Sequence, residues 1–325
     1  MNNIENNYKQ FINQYDFTKR NYNIIIHSPN ATGKYKFITY MIKNYYALNN
    51  LKYSTDLLAN PDIFYLSLPL IDRSGKFERN ITNDERLLYE FGFEDKFDNC
   101  RVGNDISIDQ IRDLRDFTNL SPRDKHKIII INNCNYLNNQ SSAALLKTLE
   151  ETNSPCIFLL LTSEIELLKD TIKSRCHSFQ YQYDMNQKNV DTFFNFFISI
   201  KPGLQNIYQE YGYLEDFHLF EDELFKLYNN EINPLELSNI WMERGHLCID
   251  YLLSLFYLLM KGFKLDSSNN MKTLYNSLFD KIPIDSNRAI VIIRILYKFK
   301  IDSRSNLNKK LFFDNLLIVL NKELY

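Results

Sequence analysis

The chain has 325 residues, 45% hydrophobic and 14% aromatic, which excludes a disordered polypeptide and predicts two or three domains rather than a single core. Lysine plus arginine number 38 against 40 aspartate plus glutamate, a formal net charge of −2, so the basic excess of an autonomous DNA-binding protein is missing. The five cysteines, Cys100, Cys134, Cys156, Cys176 and Cys248, are widely spaced, with no C-x-x-C pair and no histidine at ligand spacing, which predicts neither a zinc site nor a disulfide framework.

The N-terminal MNNIENNYKQ has neither the basic start nor the apolar stretch of a signal peptide. The run Leu255 to Met260, with Leu252 and Leu253 before it, is too short to span a bilayer, so a cytoplasmic protein with reduced thiols and no membrane partner is expected. Asn23 to His27 reads as a strand, Ser28-Pro29-Asn30 and Gly33-Lys34 as a loop, and the residues through Tyr45 as a helix. A second strand, Ile63 to Leu70, follows Asn60-Pro61-Asp62. The charged stretch between Ile71 and Val102 reads as an irregular surface insertion. Lys127 to Ile131 and Cys156 to Thr162 are apolar enough to be strands buried on both faces of a parallel sheet, with a helix from about Ser141 to Glu151 between them. Leu167 to Ile172 is helical in pattern, and Ser174 to Tyr181 supplies a fifth strand. Strands alternating with helices predict a doubly wound α/β sheet over roughly the first 180 residues.

After Tyr183 helical patterns take over, from Asn186-Gln187 through Ile200, from Leu235 to Phe263, and in the tail. In the tail Phe312, Leu316, Val319 and Leu320 mark one amphipathic face. Lys201-Pro202-Gly203 and Glu231-Ile232-Asn233-Pro234 read as linkers. Ile249 to Met260 is apolar on nearly every side, as suits a helix buried in a bundle or between subunits. Trp241 and Arg244 read as packing and surface residues.

The loop after the first strand, Ser28-Pro29-Asn30-Ala31-Thr32-Gly33-Lys34-Tyr35, aligns with the phosphate-loop pattern G-x-x-x-x-G-K-[ST]. Gly33 and Lys34 keep the phosphate-contacting pair. Ser28 replaces the opening glycine, and Tyr35 replaces the hydroxyl that ligates Mg²⁺, where a phenol cannot take the compact place of a Ser or Thr oxygen. A hydrolytic site also needs an acidic pair at the end of an apolar strand, one carboxylate for the metal shell and one to polarise water. Ile128 to Ile131 runs instead into Asn132-Asn133. Amides carry no charge for Mg²⁺ and no useful basicity near neutral pH. Three losses at one site predict no intrinsic ATPase, no required cofactor, and at most residual nucleotide contact through Gly33 and Lys34.

From the phosphate loop to Ser174-Arg175-Cys176 the chain resembles the bacterial clamp-loader family, AAA+ subunits of the DNA polymerase III holoenzyme, and within it the non-ATPase delta-prime branch. The resemblance is carried in order by the degenerate loop, Asn60-Pro61-Asp62, Ile106 to Leu114, Lys127 to Asn133, Ala144 to Glu151, Leu160 to Ser163, and Thr171 to Cys176. Asn306-Leu307-Asn308 with Leu316-Leu317 resembles the family's collar helix. The resemblance implies an AAA+ core over 1–180, a helical lid over 181–217 and a helical collar over 218–325. It also implies an arginine finger: Arg175 would reach the γ-phosphate held by a neighbouring ATPase subunit, with Ser174 and Cys176 shaping its turn. The implied partners are clamp-loader ATPase subunits and the delta subunit, with sliding clamp and primed DNA met through the complex. Lys147, Glu150 and Glu151 lie on a helix that faces either a ring channel, a neighbour or solvent. Thr162 matches the polar sensor at its strand end.

The chain departs from the family in lacking cysteines between Leu51 and Asn60, where many relatives carry a zinc module. It has Ala143 where asparagine is usual, and Gly212-Tyr213-Leu214-Glu215-Asp216 in place of the lid's small-residue pattern. Two rival readings are an active P-loop ATPase using Lys34 with substitute metal ligands, and the clamp-binding delta subunit.

Overall fold

The structure is a computed structural model that describes residues 2–15, 21–52, 57–90, 97, 99–152, 154–183, 192–204, 214–245, 247–261, 269–302 and 308–324. The chain divides into two compact units, residues 1–86 with 94–184, and residues 87–93 with 185–325.

The first unit is built on a five-stranded parallel sheet of β1 (Asn21–His27), β2 (Ile63–Leu66), β6 (Lys127–Ile131), β7 (Cys156–Thr162) and β8 (His177–Gln180), in the order β2-β6-β7-β1-β8. Helices α1 (Asn2–Gln14), α2 (Lys34–Leu48), α4 (Ile108–Asn119), α5 (Asn139–Glu151) and the short α6 (Asp170–Lys173) belong to the same unit. Successive strand side chains point to opposite faces. Ile24, Ile26, Ile128, Ile130, Ile157, Leu159 and Leu161 enter one core with Phe11, Phe37 and Met41 from α1 and α2. Ile25, Ile129, Ile131, Phe158 and Leu160, on the other face, are equally buried. A sheet covered on both sides needs no polar alternation, which is why these strands are continuous runs of aliphatic residues. The doubly wound α/β class expected from the sequence is the one observed.

The apolar run Ile63 to Leu70 is not one strand. Its first half is β2, paired with β6. Its end is β3 (Pro69–Ile71), the centre of a separate antiparallel sheet with β4 (Phe77–Asn80) and β5 (Arg101–Val102). The first part of the stretch read as an irregular insertion, residues 71–90, is therefore a hairpin continued by helix α3 (Asn83–Glu90). Asn80 and Gln110 hold the junction. The Asn80 Nδ2 donates to the Tyr65 carbonyl at 3.1 Å, and Gln110 Nε2 donates to the Ser67 carbonyl at 3.0 Å and to Asn80 Oδ1 at 2.6 Å. Gly103 is required where the chain returns, because a Cβ there would come within 2.7 Å of the Pro69 ring.

Two further expectations shift. The helical stretch Leu167 to Ile172 breaks at Leu168-Lys169 into a 3-10 turn and α6. Ser174 to Cys176 form a turn, so the fifth strand begins only at His177.

The second unit is helical throughout its described residues. It contains α7 (Phe193–Ile200), α8 (Leu214–Tyr228), α9 (Pro234–Arg244), α10 (Leu247–Lys261), α11 (Asn269–Lys281), α12 (Ser286–Asp302) and α13 (Lys309–Leu324). Leu235 to Phe263 is two helices, because Gly245 ends α9 at φ 64. Lys201-Pro202-Gly203 is no free linker: the Lys201 ammonium pairs at 2.8 Å with Asp250 of α10, which also takes Lys300 of α12 at 2.8 Å. Asn233 and Pro234 cap α9, with Asn233 Oδ1 accepting from the Leu235 N–H, so Glu231 to Pro234 is a tight helix connection. Trp241 is fully buried, stacked on Phe220 at 4.5 Å, and its indole N–H donates to Glu223, which also pairs with Arg244. In the tail Phe312, Phe313, Leu316, Leu317, Leu320 and Leu324 form the buried face of α13 and Val319 sits at its margin. Expectations for Asn186-Gln187, Gly212-Tyr213 and Asn306-Leu307 fall outside the described residues.

Candidate functional site

The phosphate loop occupies the turn between β1 and α2, beside the point where the strand order reverses between β7 and β8, the crevice where open α/β sheets bind ligands. Its geometry is tight. Ala31 and Gly33 both have positive φ, 58° and 101°, and the Gly33 carbonyl accepts from the Phe37 N–H at 3.0 Å to start the helix. The Ser28 and Thr32 hydroxyls lie 2.6 Å apart, and Thr32 also donates to the Pro29 carbonyl at 2.8 Å. Lys34 is buried. Its ammonium donates to the Ser28 carbonyl at 2.6 Å and the Pro29 carbonyl at 2.9 Å, so the loop folds around its own lysine.

The acidic-pair position faces this loop across the sheet edge. Asn132 is buried, and its amide donates to the Tyr65 hydroxyl at 3.0 Å and to Asn83 Oδ1 at 3.5 Å. Burial raises the Tyr65 phenol above its ordinary pKa, so it stays protonated. Asn133 has φ 60°, a left-handed conformation that asparagine tolerates better than other side chains. Tyr35, at the pattern position of the metal-ligating hydroxyl, packs edge-on against Tyr65 at 6.0 Å.

Sequence reasoning missed Arg86. This buried arginine donates to Asn30 of the loop and to Asn83, both at 3.3 Å, so Arg86 and Asn83 together link the loop to Asn132. The signal was present in the capping box at the start of α3, where the Thr82 N–H donates to Glu85 and the Glu85 N–H to the Thr82 hydroxyl. That pattern marks a helix in the supposed insertion and gives its residues fixed faces.

Ser174-Arg175-Cys176 lie elsewhere. The Arg175 carbonyl accepts from Asn23 Nδ2 at 3.2 Å, near the start of β1, while the phosphate loop follows that strand's end. The four residue steps from Asn23 to His27 separate them by roughly 13 Å of strand, at about 3.3 Å per residue. Gly33, Lys34 and Asn132 thus follow the ends of β1 and β6, while Arg175 lies by the start of β1. The Arg175 side chain is 41% exposed and pairs through Nε with Glu150, while Nη1 donates to the Thr171 carbonyl at 3.3 Å and to the Ser174 hydroxyl at 3.4 Å. Burial pushes the Cys176 thiol up to about 12, and burial with the neighbouring Cys176 raises Cys134 as well, so neither is a thiolate nucleophile at neutral pH. Thr162 is fully buried and donates to Asn135 at 3.3 Å while accepting from the Glu164 N–H at 3.0 Å.

A groove of about 590 Å³ runs between α4 and α5, lined in part by Arg112, Arg115 and Lys147. Arg112 pairs with Asp109 at 2.6 Å, and Arg115 with Glu151 at 3.2 Å.

Residues 71–184, which include Arg86, Asn132 and Arg175, match the family profile described as DNA polymerase III, delta subunit. The chain is 41% identical over 84 residues to the DNA polymerase III subunit tau of Bacillus subtilis (strain 168), covering 26% of this chain and 15% of that protein. It is 33% identical over 105 residues to the DNA polymerase III subunit gamma of Buchnera aphidicola subsp. Schizaphis graminum, covering 32% and 28%. Over this segment the chain is similar to DNA polymerase III delta, gamma and tau subunits. The DNA polymerase III tau and gamma subunits that it matches are longer, and the chain covers 15% to 39% of the length of the first three. Among solved structures, a DNA polymerase III gamma subunit-related protein from Thermotoga maritima aligns over 99% of this chain and 100% of its own, at 15% identity and a TM-score of 0.47. The Bacillus subtilis DNA clamp loader delta protein aligns over 98% and 99%, at 10% identity and a TM-score of 0.33. No helix among the described residues is long and apolar enough to cross a membrane.

Proposed function

We propose that this chain is a clamp-loader subunit of the delta-prime type that hydrolyses no ATP itself and supplies Arg175 to a nucleotide held by a neighbouring ATPase subunit. The observation that carries this reading is the separation along β1. The phosphate loop at one end of the strand has Tyr35, and the end of β6 has Asn132 and Asn133, where a hydrolytic site needs a hydroxyl and two carboxylates. The partly exposed arginine lies at the other end of β1. An arginine so placed acts on another molecule's phosphate, where a guanidinium offsets charge on the transferring phosphoryl group. The partners are the ATPase and delta subunits of a clamp loader in the cytoplasm, and the work done is loading of a sliding clamp onto primed DNA. The lone chain needs no metal or cofactor for this role.

The test is reconstitution with clamp-loader ATPase and delta subunits. Arg175→Ala leaves assembly intact and lowers DNA-stimulated ATPase at its interface by roughly 10³-fold, the low end for an arginine finger, so total turnover falls by that interface's share. Unchanged turnover would remove Arg175 from the mechanism. Mg²⁺-dependent hydrolysis by the isolated chain, abolished by Lys34→Ala, would instead establish the active-ATPase reading.

A further inference from the structure

We infer that Glu150 is the positioning residue for Arg175, holding the guanidinium so that its Nη2 edge is presented outward. The inference rests on the trans role of Arg175 proposed above. Glu150 lies in the last turn of α5, 25 residues before Arg175, and its carboxylate accepts from Nε. Nη1 is held from the other side by the Thr171 carbonyl at 3.3 Å and the Ser174 hydroxyl at 3.4 Å. Ser174 is itself fixed by donating to Thr171 at 3.0 Å, and the Arg175 backbone is fixed through its N–H to Ile172 at 3.1 Å and its carbonyl to Asn23 at 3.2 Å. Nη2 has no partner among the described residues. Two of the three guanidinium nitrogens are thus tied to the chain, and the third keeps both N–H groups for an incoming oxyanion.

A long arginine side chain otherwise samples many rotamers, and a carboxylate beside it gives the planar group one orientation before the phosphate arrives. The negative charge of Glu150 cannot itself help to stabilise a phosphoryl transition state, so its contribution comes through orientation. That separates positioning from two alternatives. A residue that merely sequestered Arg175 would restrain the reaction, and one that only stabilised the fold would leave turnover unchanged in an intact complex.

The experiment compares Glu150→Ala, Glu150→Gln, Arg175→Ala and the double variant in the reconstituted complex, reading kcat and KM for ATP, with thermal melts and gel filtration of every assembly. Glu150→Ala is expected to lower kcat at the Arg175 interface by about 10-fold, with KM for ATP unchanged, because one fixed donor set becomes a mobile one. Glu150→Gln keeps an accepting oxygen and restores most of kcat, and Glu150→Ala adds nothing on top of Arg175→Ala. Wild-type or higher turnover in Glu150→Ala, with Arg175→Ala impaired, overturns the positioning role and leaves the finger standing. Wild-type turnover in Arg175→Ala overturns both. Because Glu150 is 46% exposed, the fold is expected to survive, and loss of activity in both Glu150 variants with a lowered melt would assign the residue to structure and overturn the inference.

Discussion

The Lys34 ammonium donates to the Ser28 carbonyl at 2.6 Å, closing the phosphate loop on itself. With the second bond, to Pro29 at 2.9 Å, it satisfies two carbonyls at the start of the loop. Lys34→Met keeps the aliphatic stem and removes both donors. The variant is expected to lose about 1 to 3 kcal/mol of stability, the cost of leaving the Ser28 carbonyl without this donor while Pro29 still accepts from Thr32, read as a lower urea midpoint with an unchanged slope.

Asn133 is held at φ 60°, where only glycine escapes a Cβ penalty. Asn133→Gly and Asn133→Ala both delete the amide and differ only in a Cβ. The alanine variant is expected to be less stable than the glycine variant by about 1 kcal/mol. Equal denaturation midpoints would show that backbone conformation does not govern this position.

Asp250 is buried between two ammonium groups. Burial alone would push its carboxyl up, but Lys201 and Lys300 outweigh that and hold it well below the usual carboxylate range. A depressed folded pKa stabilises the folded state fully above the unfolded value of about 3.9, and the contribution is lost as pH falls from there toward the folded value. Asp250→Asn is expected to cost about 3 to 5 kcal/mol at neutral pH, because it breaks a buried pair from one side. The gap to wild type should narrow below about pH 3.9. Melting temperatures for both proteins from neutral to acidic pH check this, and parallel curves would contradict it.

Cys156 to Thr162 was legible to the residue because an unbroken aliphatic run with turns at both ends admits one reading. Ile63 to Leu70 was equally aliphatic and misled for that reason: apolar character reports burial, while the change of sheet at Ser67-Leu68 depends on Asn80 and Gln110, far along the chain. Leu235 to Phe263 hid a helix end at Gly245 because helical periodicity resumes within two residues. The same limit divides the candidate sites. Gly33, Lys34 and Arg175 stand in local patterns that a sequence displays. Arg86 meets Asn30 across 56 residues and Glu150 meets Arg175 across 25, with no local pattern to announce either pairing.

The hairpin between β3 and β5 resembles an ornament that could be trimmed away, since its ends return to within a hydrogen bond, Gly103 N–H to Pro69 carbonyl at 2.8 Å. Joining the chain there would also delete Asn80, Asn83 and Arg86. Asn30, Asn132 and Gln110 would then each lose a hydrogen-bond partner. The hairpin is in that sense a retaining wall for the phosphate loop, and a shortened chain would have to rebuild that wall before its fold could close.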